Sequence, residues 1–124
     1  MKLAIMLYGT RVSPRFGYSQ GVMIVETSGQ REIRRKTLKV GKHYPEKIPG
    51  ILDNEGVEVV ISGGMNHYFQ NLLRSRGIQV IWGIMGEADD ALAAFKADRL
   101  TPGMGCCPAG RRWRQGKRRF RGGG

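Results

Sequence analysis

The stretch Gly56-Val57-Glu58-Val59-Val60-Ile61-Ser62-Gly63-Gly64-Met65-Asn66 carries a clear structural signal. An apolar β-branched run with one charge stops at two glycines and passes into a helical pattern. A run of this kind suits an inner strand covered on both faces, because a solvated face would demand polar residues at alternate positions. Gly63 and Gly64 let the backbone approach another group closely, and amides opening the next helix suit an anion. A plain βα turn without any ligand uses the same residues.

Residues 66–76 read as a helix with Met65, Phe69, Leu72 and Leu73 on one face, ended by Gly77. Residues 78–82 form the next strand. Glycines bracket the turn 83–86, and residues 87–98 form a helix that faces the sheet with Ala88, Ala91, Leu92 and Phe95. On the other side, residues 44–55 form a short helix confined by Pro45 and Pro49.

Three strands precede it, at 3–8, 21–27 and 31–40, with residues 9–20 read as a loop. The third carries Arg31, Arg34, Arg35, Lys36 and Lys39 around few apolar residues, the pattern of an edge strand protected from pairing with other chains. An anion or nucleic-acid stripe is the alternative. Hairpin-linked strands run antiparallel, and strand-helix-strand units run parallel through right-handed crossovers. The expected fold is a three-layer α/β/α domain around a mixed five-stranded sheet in order 3-2-1-4-5, strand 2 antiparallel, a ribonuclease H-like arrangement.

With 124 residues the chain holds about one domain. Residues 1–100 carry fourteen Lys or Arg against ten acids, a net of +4 out of the total +11. The other seven basic residues fall among the last fourteen positions. Residues 1–100 are therefore expected to form the folded domain, and residues 101–124 a flexible Gly/Arg-rich basic tail. No apolar run approaches the roughly 20 residues of a membrane span. The apolar start reaches Gly9-Thr10-Arg11 too soon for a signal peptide. A cytoplasmic protein away from membranes is expected, and adjacent Cys106 and Cys107 read as free thiols.

A nuclease would need several carboxylates converging at strand ends. Here the first strand has none, the Gly56–Ile61 stretch has only Glu58, and Asp89 and Asp90 sit together in a helix's first turn. His43 and His67 have no orienting acid nearby in sequence, so no triad emerges. Ligands in doubly covered sheets collect at the carboxyl ends of strands where connections reverse. Loops 9–17, 62–67 and 83–86 should therefore converge on one rim. There they offer Arg15 as a fixed positive charge, Phe16 as an aromatic wall, amides after Gly64, and Met65, Met85 and His67 as soft or nitrogen donors. An anionic, sulfur-rich ligand suits that set.

Ser-Pro-Arg-Phe-Gly at 13–17, the run Gly-Val-Glu-Val-Val-Ile-Ser-Gly-Gly-Met at 56–65, Leu-Leu-x-x-x-Gly-Ile at 72–78 and Ala-Leu-x-x-Phe ending at Phe95 resemble the dinitrogenase iron–molybdenum cofactor biosynthesis family. The likeness covers about residues 1–100. It implies the fold above, no catalysis of its own, and the binding or delivery of an anionic metal–sulfur cluster holding molybdenum with iron or copper. The residues it points to for that cluster are Ser13, Arg15, Phe16, Gly17, Gly63, Gly64, Met65 and Asn66. Nitrogenase-linked members often carry histidine where this chain has Arg15, so binding there is expected to be electrostatic and the type nearer the orange protein. Asn66 stands where members often have glycine, which favours an N-cap role.

His67, Cys106 and Cys107 are the candidate metal ligands, thiolates being good donors to copper, zinc and iron–sulfur clusters. A second reading is a module that binds nucleic acid or an acidic protein through the tail, where Trp113 and Phe120 interleave with arginines. A regulatory domain for a partner enzyme is a third.

Overall fold

The computed structural model describes residues 1–29, 31–40, 45–97 and 99. At its centre lies β1 (Lys2–Tyr8), in which Leu3 to Leu7 are all buried. Five consecutive buried positions require a layer on each face, as the short, apolar β5 (Val59–Ile61) also does.

The remaining strands are β2 (Arg11–Val12), β3 (Gly21–Ser28), β4 (Arg31–Lys39) and β6 (Gln79–Ile81). Their order is β4-β3-β1-β5-β6. β3 runs antiparallel to both β1 and β4, whereas β5 lies parallel to β1 and β6 parallel to β5. The order and directions expected from sequence are thus observed, with one addition. β2 folds back antiparallel on β1, pairing Leu7 with Val12, inside the segment 9–20 read as a loop. Two residues are too short for a periodic signal. The turn before them uses Gly9 at φ 66°, a left-handed conformation that glycine adopts without strain.

Alternation along the strands divides the core in two. Leu3, Ile5, Val25 and Ile61 face α3 (Ala88–Lys96) through Ala88, Ala91 and Leu92. Ala4, Met6, Ile24 and Val60 face α1 (Ile48–Asn54) and α2 (His67–Ser75) through Ile48, Leu52 and Leu73. The sheet therefore sits between two helices on one side and one on the other.

Element ends follow local chemistry. α1 begins later than expected, because Pro45–Lys47 forms a separate 3-10 turn, and Pro49 lies in the first helical turn, where its missing N–H costs nothing. β5 is shorter than the apolar run because Gly56, at φ 74°, belongs to the helix stop. Its amide donates to the Asp53 carbonyl, and that of Val57 to the Leu52 carbonyl.

β4 is the charged edge strand expected. Arg35 on it forms a two-pronged pair with Glu32 (2.8 and 2.7 Å) and reaches Asp89 in the first turn of α3 (2.7 Å), tying strand to helix. The hydrogen bond from Arg35 holds the Glu32 carboxyl below its usual range. On the opposite face Lys36 does the same to Glu55 at 2.8 Å. No helix among the described residues is long and apolar enough to cross a membrane.

Candidate functional site

Beyond the ends of β1, β5 and β6 the three expected loops are stitched together by backbone hydrogen bonds. Ser13 N–H donates to the Met6 carbonyl (2.8 Å), Gly63 N–H to Ser13 (2.8 Å), Gly64 N–H to Pro14 (2.7 Å) and Phe16 N–H to Gly64 (2.8 Å). On the other side Gly83 N–H donates to Gly63 (2.9 Å) and Ile84 N–H to Ser62 (3.0 Å). The sheet's pairing pattern is thereby carried past the strand ends, with Arg15 and Gly64 as a parallel bridge.

This stitching assigns Gly63 its purpose. A Cβ there would fall 2.5 Å from the Pro14 carbonyl oxygen and 2.7 Å from its carbon, both backbone atoms. The close approach inferred for the double glycine is therefore to the neighbouring loop. Gly64 is less constrained, since a Cβ there would meet only the Pro14 oxygen at 3.4 Å, an ordinary contact.

Between the loops lies a cleft of about 460 Å³, lined by Pro14, Arg15, Phe16, Gly17, Tyr18, Gly64, Met65, Asn66 and Phe69. Six of the eight candidate cofactor-binding residues meet there. The other two, Ser13 and Gly63, are buried behind it and hold its backbone in place. Phe16 differs from expectation. Its ring is 1% exposed and packs into the α1/α2 side of the core, 5.1 Å from the Phe69 ring, so it forms the floor of the cleft and not an open wall.

Asn66 is the N-cap of α2, its Oδ1 accepting from the Phe69 amide at 3.0 Å. Among the described residues the amides of Arg15, Gly17, Met65, Asn66, His67 and Tyr68 have no hydrogen-bond partner, which leaves a concentration of unspent donors around the cleft. Gln70, 5% exposed, donates from its side chain to the Met65 carbonyl at 2.8 Å and braces the turn from below.

Arg15 is exposed and has no carboxylate partner among the described residues; its guanidinium carbon lies 5.9 Å from the centre of the Tyr18 ring. No acid among the described residues lines the cleft. By contrast Arg34, Arg35, Lys36 and Arg76 are each paired with a carboxylate. The cleft thus combines an unneutralised guanidinium, a helix start, apolar walls and one thioether, a set that attracts anions and gives a metal ion little to coordinate.

His67 opens α2 and is exposed, and Met85 is 50% exposed; neither lines the cleft. No cluster of three or more His, Cys, Asp or Glu capable of holding a metal ion occurs among the described residues. Cys106, Cys107 and the basic tail lie outside the described residues. Sequence reasoning missed Tyr18 and Phe69 as cleft residues. In the sequence Phe69 reads only as part of the apolar face of its helix, and Tyr18 reaches the cleft through the 3-10 turn Phe16–Tyr18, which no periodicity announces.

A family model described as dinitrogenase iron-molybdenum cofactor matches residues 1–98. No curated protein matches the chain significantly. Among solved structures, the crystal structure of PH0822 is similar at 24% identity with a TM-score of 0.77, covering 82% of this chain and 94% of that one. The apo form of the orange protein from Desulfovibrio gigas is similar at 20% identity with a TM-score of 0.70, covering 82% and 91%. At these identities the likeness establishes a shared fold.

Proposed function

We propose that this chain, which belongs to the dinitrogenase iron-molybdenum cofactor family, binds and carries an anionic metal–sulfur cluster in the rim cleft and catalyses no reaction itself. The observation that carries the reading is Arg15, a guanidinium with no carboxylate partner among the described residues, at a cleft with apolar walls and unspent amides that no acid among those residues lines. Hydrogen bonds and a fixed positive charge suit an anion whose metals already have their sulfide ligands. A bare cation would need donors that this lining lacks. The cargo is accordingly a cluster of molybdenum with copper or iron, held by charge and hydrogen bonds, with Met65 as the one soft side chain at hand. His67, Cys106 and Cys107 are auxiliary ligands in this reading, available at handover.

Anaerobic reconstitution with tetrathiomolybdate and copper, or with an iron–sulfur precursor, tests it. Expected are visible charge-transfer bands and stoichiometric metal retained through gel filtration. Their absence under all these conditions removes the proposal.

The sequence favours a second activity for residues 101–124, proposed as a basic arm separate from the domain of residues 1–100. Its seven cations with Trp113 and Phe120 suit an acidic protein surface or a nucleic acid. Binding that falls steeply with salt in the full chain, and persists unchanged when the chain ends at Leu100, would exclude the arm.

A further inference from the structure

We infer that Tyr18 is a positioning residue for Arg15, holding the guanidinium over its ring by a cation–π contact so that its N–H groups stay available to an anion; this rests on the anion-binding reading of the cleft. The turn that joins the two residues is fixed from several sides. The Arg15 carbonyl accepts from the Ser13 hydroxyl at 2.7 Å and from the Tyr18 amide at 3.1 Å. Ser13 is fully buried, and its own carbonyl is held by the Gly63 amide, so the clamp is anchored in the floor of the rim. Phe16, between the two, is locked in the core.

Exposed on such a frame, Tyr18 is otherwise unexplained. It is 69% exposed, and its hydroxyl has no hydrogen-bond partner among the described residues. Its ring lies under the Arg15 guanidinium, whose carbon is 5.9 Å from the ring centre. Arg15 in turn makes no hydrogen bond from its side chain among the described residues, so every guanidinium N–H is unspent. A free arginine on a surface loses side-chain entropy when it closes on a ligand. A cation–π contact with a ring reduces that loss and leaves the planar fork of donors available for two acceptor atoms at once. Such a fork recognises one edge of a tetrahedral thiometallate, whereas a lysine offers a point charge in its place.

The test titrates tetrathiomolybdate into the full chain anaerobically and compares wild type with Tyr18→Phe, Tyr18→Leu, Arg15→Lys and Arg15→Ala. Thermal melts and the ring-current shift of the Arg15 Hδ protons without ligand are recorded alongside. We expect Tyr18→Phe to bind within about twofold of wild type and Tyr18→Leu to bind about threefold to fivefold more weakly. Tyr18→Leu should melt as wild type does and lose the upfield shift. Arg15→Lys should fall between wild type and Arg15→Ala.

Wild-type affinity in Tyr18→Leu, or an equal loss in Tyr18→Phe and Tyr18→Leu, overturns the inference, the second outcome assigning the effect to the hydroxyl. Wild-type protein that binds no thiometallate removes the functional reading and this inference with it, whereas a wild type that binds while Tyr18→Leu binds equally well overturns the inference alone.

Discussion

Replacing Gly63 with alanine sets the added methyl against the Pro14 carbonyl group, 2.5 Å from its oxygen and 2.7 Å from its carbon. Both are backbone atoms in a segment fixed at Ser13 and Phe16, so no side chain can swing aside. The loop must move. Moving it strains or breaks three hydrogen bonds, Gly63 N–H to Ser13, Gly64 N–H to Pro14 and Phe16 N–H to Gly64. Each contributes about 0.5–1.5 kcal/mol, and overpacking alone costs roughly 1–3 kcal/mol. Allowing for partial relaxation, the variant should lose about 2–4 kcal/mol of stability. With a urea slope of about 1–3 kcal/mol/M for a small domain, the midpoint should fall by on the order of 1–2 M. Gly64→Ala is the matched control, since its methyl would meet only the Pro14 oxygen at 3.4 Å; it should cost under about 1 kcal/mol. Equal midpoints for the two variants, or Gly63→Ala indistinguishable from wild type, would refute the view that Gly63 exists for loop-to-loop approach.

Asn66→Ala should destabilise the domain by about 1 kcal/mol in the same assay through loss of the α2 cap, and Asn66→Asp should restore most of it. Phe16→Ala, which empties the floor of the cleft, should cost about 3–5 kcal/mol and abolish thiometallate binding as well. Arg15→Ala should melt like wild type yet bind tetrathiomolybdate at least about tenfold more weakly, because hydrogen bonds to charged groups contribute about 1.5–3 kcal/mol. The carboxyls of Glu32 and Glu55 lie below their ordinary value of 4.5 when folded, so their contribution to stability is present at neutral pH and is lost as pH falls through and below that value. Glu32→Gln and Glu55→Gln should each flatten the acid limb of a stability-versus-pH curve and leave its shape above pH 6 unchanged.

Most of the fold was legible because its determinants are local. Val59, Val60 and Ile61 form a run that only a doubly covered strand accommodates, and Gly77 and Asn66 mark the ends of α2. The charges of β4 identified the sheet edge, which the order β4-β3-β1-β5-β6 bears out. What escaped depends on contacts between distant segments. β2 exists because Val12 finds Leu7 across a tight turn, and two residues carry no period. Phe16 reads as a ligand wall when its neighbours are arginine and glycine, whereas it is buried in the core cluster on the α1/α2 side of the sheet, with Phe69, fifty-three residues away, packed against it. Gly63 reads as a ligand-facing glycine until the Pro14 backbone is seen against it. Sequence thus located the rim and its charge, while tertiary packing decided which residues support the cleft and which face into it.

Whether the rim cleft carries a metal–sulfur cluster is decided by anaerobic reconstitution of the full chain with tetrathiomolybdate and copper, followed by metal analysis and a visible absorption spectrum, with Arg15→Ala in parallel. Stoichiometric molybdenum with charge-transfer bands is expected in the wild type, and markedly less metal with weaker bands in the variant. Metal retained equally by both proteins, or by neither, would overturn cluster binding at Arg15.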